Sequence, residues 1–123
     1  LTVGAYDSRI QTYADFSGRG YTRILSTLKP DLVAPGVRIN APSTGTGSSY
    51  SEVTGTSFAT PFVTGSAALM MEWGILKGND TFLYGEKVKA YLRKGARSLP
   101  GFNEYPNPLV GYGALCLRDS LPQ

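Results

Sequence analysis

The segment Gly55-Thr56-Ser57-Phe58-Ala59-Thr60-Pro61 combines residue types that could do chemistry. Ser57 stands where a loop composition gives way to a long apolar run, so the spacing puts its hydroxyl at the mouth of a helix. The first N–H groups of a helix have no partner within it, and the helix macrodipole adds positive potential there. A serine oxygen beside such a donor is what acyl transfer requires, a nucleophile next to a site for the oxyanion. Gly55 allows close approach of a ligand backbone. Pro61 cannot donate to the carbonyl of Ser57, four residues back, which suggests a first turn free to hold Ser57 in its own geometry. The plainer alternative is that Ser57 only caps a core helix, a role serine often fills.

Other candidate groups are weaker. There is no histidine among the 123 residues, which excludes an imidazole base within the chain and argues against a catalytic zinc site. The single cysteine, Cys116, forms no internal disulfide and has no base to activate it. Asp7, Asp15 and Asp31 suggest a carboxylate pair or a calcium loop, but their spacing matches no ligand loop. Asp31 reads instead as a structural group beside a proline turn. Lys29 and Lys94 are imaginable bases for Ser57, yet nothing places them near it, and both read as surface cations. No metal site and no cofactor is assigned from this chain.

The elements that must position Ser57 can be read from periodicity. Residues 1–6 form a buried strand, followed by loops over 7–30 with room for one more short strand. Asp31-Leu32-Val33-Ala34 is a second strand, ended by Pro35-Gly36. Val37, Ile39 and Ala41 alternate as a third, and residues 50–54 return after a Gly/Ser/Thr loop at 43–49. From Ser57 to Trp73 the chain is apolar on nearly every face, a helix that belongs in the middle of a protein, with Gly74 as its stop. A surface helix over roughly 82–94 follows, capped from Asn79-Asp80-Thr81, with Tyr84, Val88, Tyr91 and Leu92 on its inner face. Residues 98–113 hold several prolines and glycines and predict a surface loop. Leu115 to Leu121 predicts a last short helical turn.

Composition sets the wider bounds. Hydrophobic residues make up 41% and charged residues 17%, the balance of a folded chain of one-domain size. The net charge of +3 arises from 12 basic and 9 acidic residues. The basic stretch Lys87 to Arg97 alternates with apolar residues as a solvated helix face does, so no nucleic-acid partner is expected. No apolar run is long enough to span a bilayer. Three strands and one surface helix are few to cover a helix apolar all round, and Leu1 opens directly in a strand. Both lead us to expect an α/β fold incomplete on its own, with exposed apolar surface and self-association.

The motif around Ser57 resembles the nucleophile signature of subtilases, the subtilisin-like serine proteases. Lys29-Pro30-Asp31-Leu32-Val33-Ala34-Pro35-Gly36 is similar to the strand-turn block that precedes that signature. Thr2-Val3-Gly4-Ala5 and Phe16-Ser17 are similar to the family's upstream strand and loop, and Gly111-Tyr112-Gly113 to a motif near the end of many family catalytic domains. The resemblance implies that residues 1–123 are the C-terminal segment of a subtilase catalytic domain, part of a three-layer fold with a mostly parallel sheet. It implies a serine endopeptidase acting on polypeptides through an acyl-enzyme on Ser57. Ser57 N–H would be an oxyanion donor, Thr54, Gly55 and Thr56 would line the cleft, and Phe16 would contact substrate on the leaving-group side. Phe58 stands where many members have methionine. The family's aspartate, histidine and oxyanion-hole asparagine lie upstream of the region matching Leu1, so this chain alone is expected to be inactive and to need the N-terminal remainder as partner. Calcium could bind the whole protein. The alternative is a pseudoprotease that keeps the fold and acts by binding or regulation. The family points to a secreted, cell-envelope or spore setting, and the tail resembles clostridial members that work in spores.

Overall fold

The computed structural model describes residues 1–45 and 47–122. In chain order they form β1 (Val3–Asp7), β2 (Thr12–Tyr13), β3 (Gly20–Tyr21), β4 (Leu28–Lys29), β5 (Leu32–Pro35), β6 (Ile39–Pro42), β7 (Tyr50–Val53), α1 (Thr56–Met71), α2 (Gly85–Lys94) and α3 (Leu117–Ser120). The strand order of the central sheet is β2-β1-β5. β1 and β5 run parallel, from Val3 opposite Leu32 to Tyr6 opposite Pro35, and β2 is antiparallel to β1. Beyond β5 the sheet continues into the tail. The Val33 N–H donates to the Gly113 carbonyl and the Leu115 N–H to the Val33 carbonyl, at 2.9 and 2.8 Å. β6 and β7 form a separate hairpin around the 43–49 loop, of which Thr46 lies outside the described residues.

Alternation along the two parallel strands builds two cores. Ala5, Leu32 and Ala34 point to one face, where they meet Ala59, Val63 and Met70 of α1 and Val88 and Leu92 of α2. Tyr6 and Val33 point to the other, where Leu99, Val110 and Ala114 cover them. The segment 98–113, expected as a loop over the surface, is therefore a layer of the protein, with Leu99 and Val110 buried. Its Gly111-Tyr112-Gly113 passes directly against β5. A Cβ on Gly111, at φ 58°, would lie 2.2 Å from the Pro30 carbonyl oxygen, so only glycine fits there. This close passage lets the Tyr112 N–H donate to the Asp31 carbonyl at 2.8 Å.

α1 keeps its expected length, but within this chain only one stripe of it is covered. Ala59, Val63 and Met70 are buried, whereas Phe58, Phe62, Leu69 and Met71 are exposed, Leu69 by 55%. Gly74 does not stop the helix. It lies inside a π-helical turn (Glu72–Leu76), and the chain turns away at Gly78, whose φ is 75°. α2 begins at Gly85, three residues later than expected, and Asn79-Asp80-Thr81 does not cap it. Asp80 instead receives the Tyr91 hydroxyl at 3.0 Å and the Lys87 ammonium at 2.6 Å, tying the preceding turn to the side of α2. The inner face of α2 holds Val88 and Leu92, with Tyr91 half-buried and Tyr84 exposed. α3 is the expected last helical turn.

Candidate active site

The site begins with the backbone of Gly55, which precedes α1 at φ 153° and ψ 160°. Ser57 is the second residue of α1 and is exposed. The Phe58 N–H donates back to the Gly55 carbonyl at 3.1 Å, tightening the helix entry. The N–H of Ser57 has no carbonyl partner available within the helix, and it points with the helix dipole toward any charge placed before the first turn. α1 runs unbroken through Pro61, so the proline deletes one hydrogen bond without loosening the turn around Ser57.

What fixes this loop is the turn at the end of β5. The Gly55 N–H donates to the Gly36 carbonyl at 2.8 Å, and the Gly36 N–H donates to the Tyr6 carbonyl at 3.1 Å. One residue thus joins the loop carrying Ser57 to the sheet. A Cβ on Gly36 would lie 2.6 Å from the Ala5 Cβ and 2.9 Å from the Gly55 carbonyl oxygen, so the contact requires glycine. Two residues on, the Arg38 N–H donates to Thr54 Oγ1 at 2.9 Å. Gly36 was read from sequence only as a strand stop, and Arg38 and Tyr6 were given no part in the site. The signal that could have found them is the Ala-Pro-Gly stop after an apolar strand, a place where backbone must approach backbone.

The expected cleft residues sit together at this point. Thr54 is exposed, with its hydroxyl engaged by Arg38. Gly55 and Thr56 are half-buried, and the Thr56 carbonyl accepts from Thr60 Oγ1 at 3.0 Å. Thr56 forms one wall of a cavity of about 340 Å³, which continues over Gly4 and Pro30 to Arg19 and Tyr21. Phe16 is half exposed, and its neighbour Ser17 is buried with its Oγ accepting the Ala5 N–H at 2.9 Å. Ser17 thereby satisfies the outer edge of β1 where no strand pairs with it.

Lys29 is not a free surface cation. Its ammonium lies 2.8 Å from Asp31 Oδ2, and Arg93 of α2 reaches the other oxygen of the same carboxylate. The Thr2 N–H donates to Oδ2 as well, at 2.6 Å. Burial pushes the Asp31 carboxyl up, but the bonds from Lys29, Thr2 and Arg93 together outweigh it and hold it below the usual carboxylate range. Asp31 is structural, as its place beside the turn suggested. Lys94 is exposed on α2. Among the described residues no three His, Cys, Asp or Glu side chains gather closely enough to hold a metal ion.

The sequence model of the subtilase family matches residues 1–113. The chain belongs to the subtilase family. Serine protease AprX of Bacillus subtilis is 35% identical over 140 residues, an alignment that takes in 99% of this chain and 29% of the relative. The subtilisin-like protease SBT3.11 of Arabidopsis thaliana is 50% identical over 92 residues, 61% of this chain and 12% of its own length. Among solved structures, the Clostridium perfringens CspB protease superposes with a TM-score of 0.86 at 47% identity, over 96% of this chain and 24% of that one. This subtilase chain thus spans less than a third of the length of these relatives, and the clostridial resemblance expected from sequence has a counterpart in the last of them. The family is one of serine proteases, whose substrates are polypeptides. No helix among the described residues is long and apolar enough to cross a membrane.

Proposed function

We propose that residues 1–123 are the C-terminal segment of a subtilase catalytic domain and that Ser57 is its nucleophile. The observation that carries this reading is an exposed serine at the second position of α1, on a loop bonded through Gly36 to the central sheet. In the whole protein, an upstream histidine takes the Ser57 proton while Oγ attacks a peptide carbonyl. The tetrahedral oxyanion is met by the Ser57 N–H and an upstream asparagine. The histidine then protonates the departing amine, the C–N bond breaks, and water releases the acyl group from Ser57 by the same steps. Thr54, Gly55 and Thr56 shape the cleft around the reacting carbonyl. The chain has no histidine, so under this mechanism it is expected to be inactive on its own. A secreted, cell-envelope or spore setting belongs to this same reading.

The test is fluorophosphonate labelling of the whole protein, with the labelled peptide mapped by mass spectrometry. Label on Ser57 that disappears on heat unfolding is the expected result. Well-folded protein that takes no label would replace the peptidase by a pseudoprotease acting through binding.

A further inference from the structure

The hairpin formed by β3 and β4 holds apolar side chains exposed on a hydrogen-bonded frame of its own. Gly20 pairs with Lys29 and Tyr21 with Leu28. Above them the Thr22 N–H donates to the Thr27 carbonyl, the Ser26 N–H to the Thr22 carbonyl and the Thr27 N–H to Thr22 Oγ1, all near 3.0 Å. The base is anchored by the Gly20 N–H on the Pro108 carbonyl. On this frame Ile24 is 92% exposed, Leu25 79% and Tyr21 64%. Thr22, Arg23, Ile24, Leu25 and Lys29 enclose an open hollow of about 520 Å³.

Charge and position indicate what fits there. Residues 16–30 contain Arg19, Arg23 and Lys29 and no acidic residue. Arg19 lies over the Tyr13 ring and Lys29 is held by Asp31. Arg23 is exposed beside the two aliphatic side chains and is in no ion pair among the described residues. Tyr21 and Thr22 also line the 340 Å³ cavity whose far wall is Thr56, the residue before Ser57. A polypeptide seated on the hairpin therefore has a continuous path to the nucleophile loop. A flat lipid surface would not follow that path.

We propose that this hairpin is a docking site for an acidic, apolar segment of the polypeptide substrate, with Ile24 and Leu25 as anchors and Arg23 reading the negative charge. The proposal rests on the peptidase reading for its substrate but is testable apart from it. Two fluorescein-labelled dodecapeptides with identical Leu and Phe positions, their intervening residues all Asp and Glu in one and all Lys in the other, are titrated against the whole protein and followed by anisotropy. Ser57→Ala in the background prevents cleavage. The acidic peptide should bind about tenfold more tightly, and Ile24→Ser/Leu25→Ser should remove about that factor, the loss expected for truncated apolar anchors. Arg23→Glu should erase or reverse the preference. Parent protein and both hairpin variants with Ser57 intact should label equally with fluorophosphonate.

Equal affinity for the two peptides, or unchanged affinity in both variants, overturns the proposal. So does a hairpin whose substitution abolishes binding to phosphatidylglycerol vesicles or dissociates a dimer while leaving peptide binding intact. Acid-selective binding that depends on the hairpin, in a parent protein that takes no label, upholds the docking site and removes the peptidase reading alone.

Discussion

A serine hydroxyl without an imidazole beside it is a weak nucleophile, so the proposed role of Ser57 depends on a base supplied from outside these 123 residues. Ser57→Ala in the whole protein should lower kcat by several orders of magnitude, on the order of 10⁴-fold or more, with an unchanged melting temperature. A rate that survives would take Ser57 out of the mechanism. Asp31 sits at the other extreme, a carboxylate whose work is done in the ground state. Its pKa is depressed in the folded protein, so its contribution to stability is present above the unfolded value near 3.8 and is lost as pH falls through the lower folded value. Acid titration of stability should therefore show a fall beginning near pH 4, reduced in Asp31→Asn. At neutral pH that variant should cost about 2–3 kcal/mol, read from chemical denaturation, because Lys29 and Arg93 lose their charged partner.

At the scale of elements, the turn after β5 holds the site. Gly36→Ala should cost about 1–3 kcal/mol through overpacking against Ala5 and should displace Gly55. In the whole protein it should slow fluorophosphonate labelling of Ser57 more than its loss of stability explains, since the label reports loop position. A labelling rate equal to wild type would mean that the Gly36–Gly55 bond does not set the nucleophile. Much of this was legible in sequence. The parallel strands announced themselves as short apolar runs with a Pro-Gly stop, α1 as a long uncharged run, and Ser57 as the residue between loop and helix. Gly36 as the link was not legible, because its hydrogen bonds join residues 30 and 19 positions away. The layer formed by 98–113 was missed for a related reason. Its prolines and glycines carry no periodicity, and its burial comes from threading against β5. Gly74 misled because a glycine in a π-helical turn has the same sequence appearance as one that ends a helix.

For the molecule as a whole, the uncovered faces of α1 decide behaviour. Phe62 and Leu69, 43% and 55% exposed, each leave about 1 kcal/mol of burial unrealised in this chain. Produced alone, the 123-residue chain should self-associate, which light scattering will show. A stable monomer would mean that these faces need no cover. Leu69→Lys separates the two settings. It should make the isolated chain more soluble and should prevent the whole protein from folding, because the same face then has to be buried with a charge.

The placement of residues 113–115 beside β5 also orders events in time. Val33 and Ala114 are bridged across a long stretch of chain, with α1 and α2 lying between them in sequence. A ribosome making this protein releases β5 well before its outer partner exists, so one edge of that buried strand waits unpaired through the synthesis of both helices. Until residues 113–115 emerge, the growing chain carries an open edge and an apolar helix together, the kind of target bound by a holdase chaperone that recognises extended apolar segments.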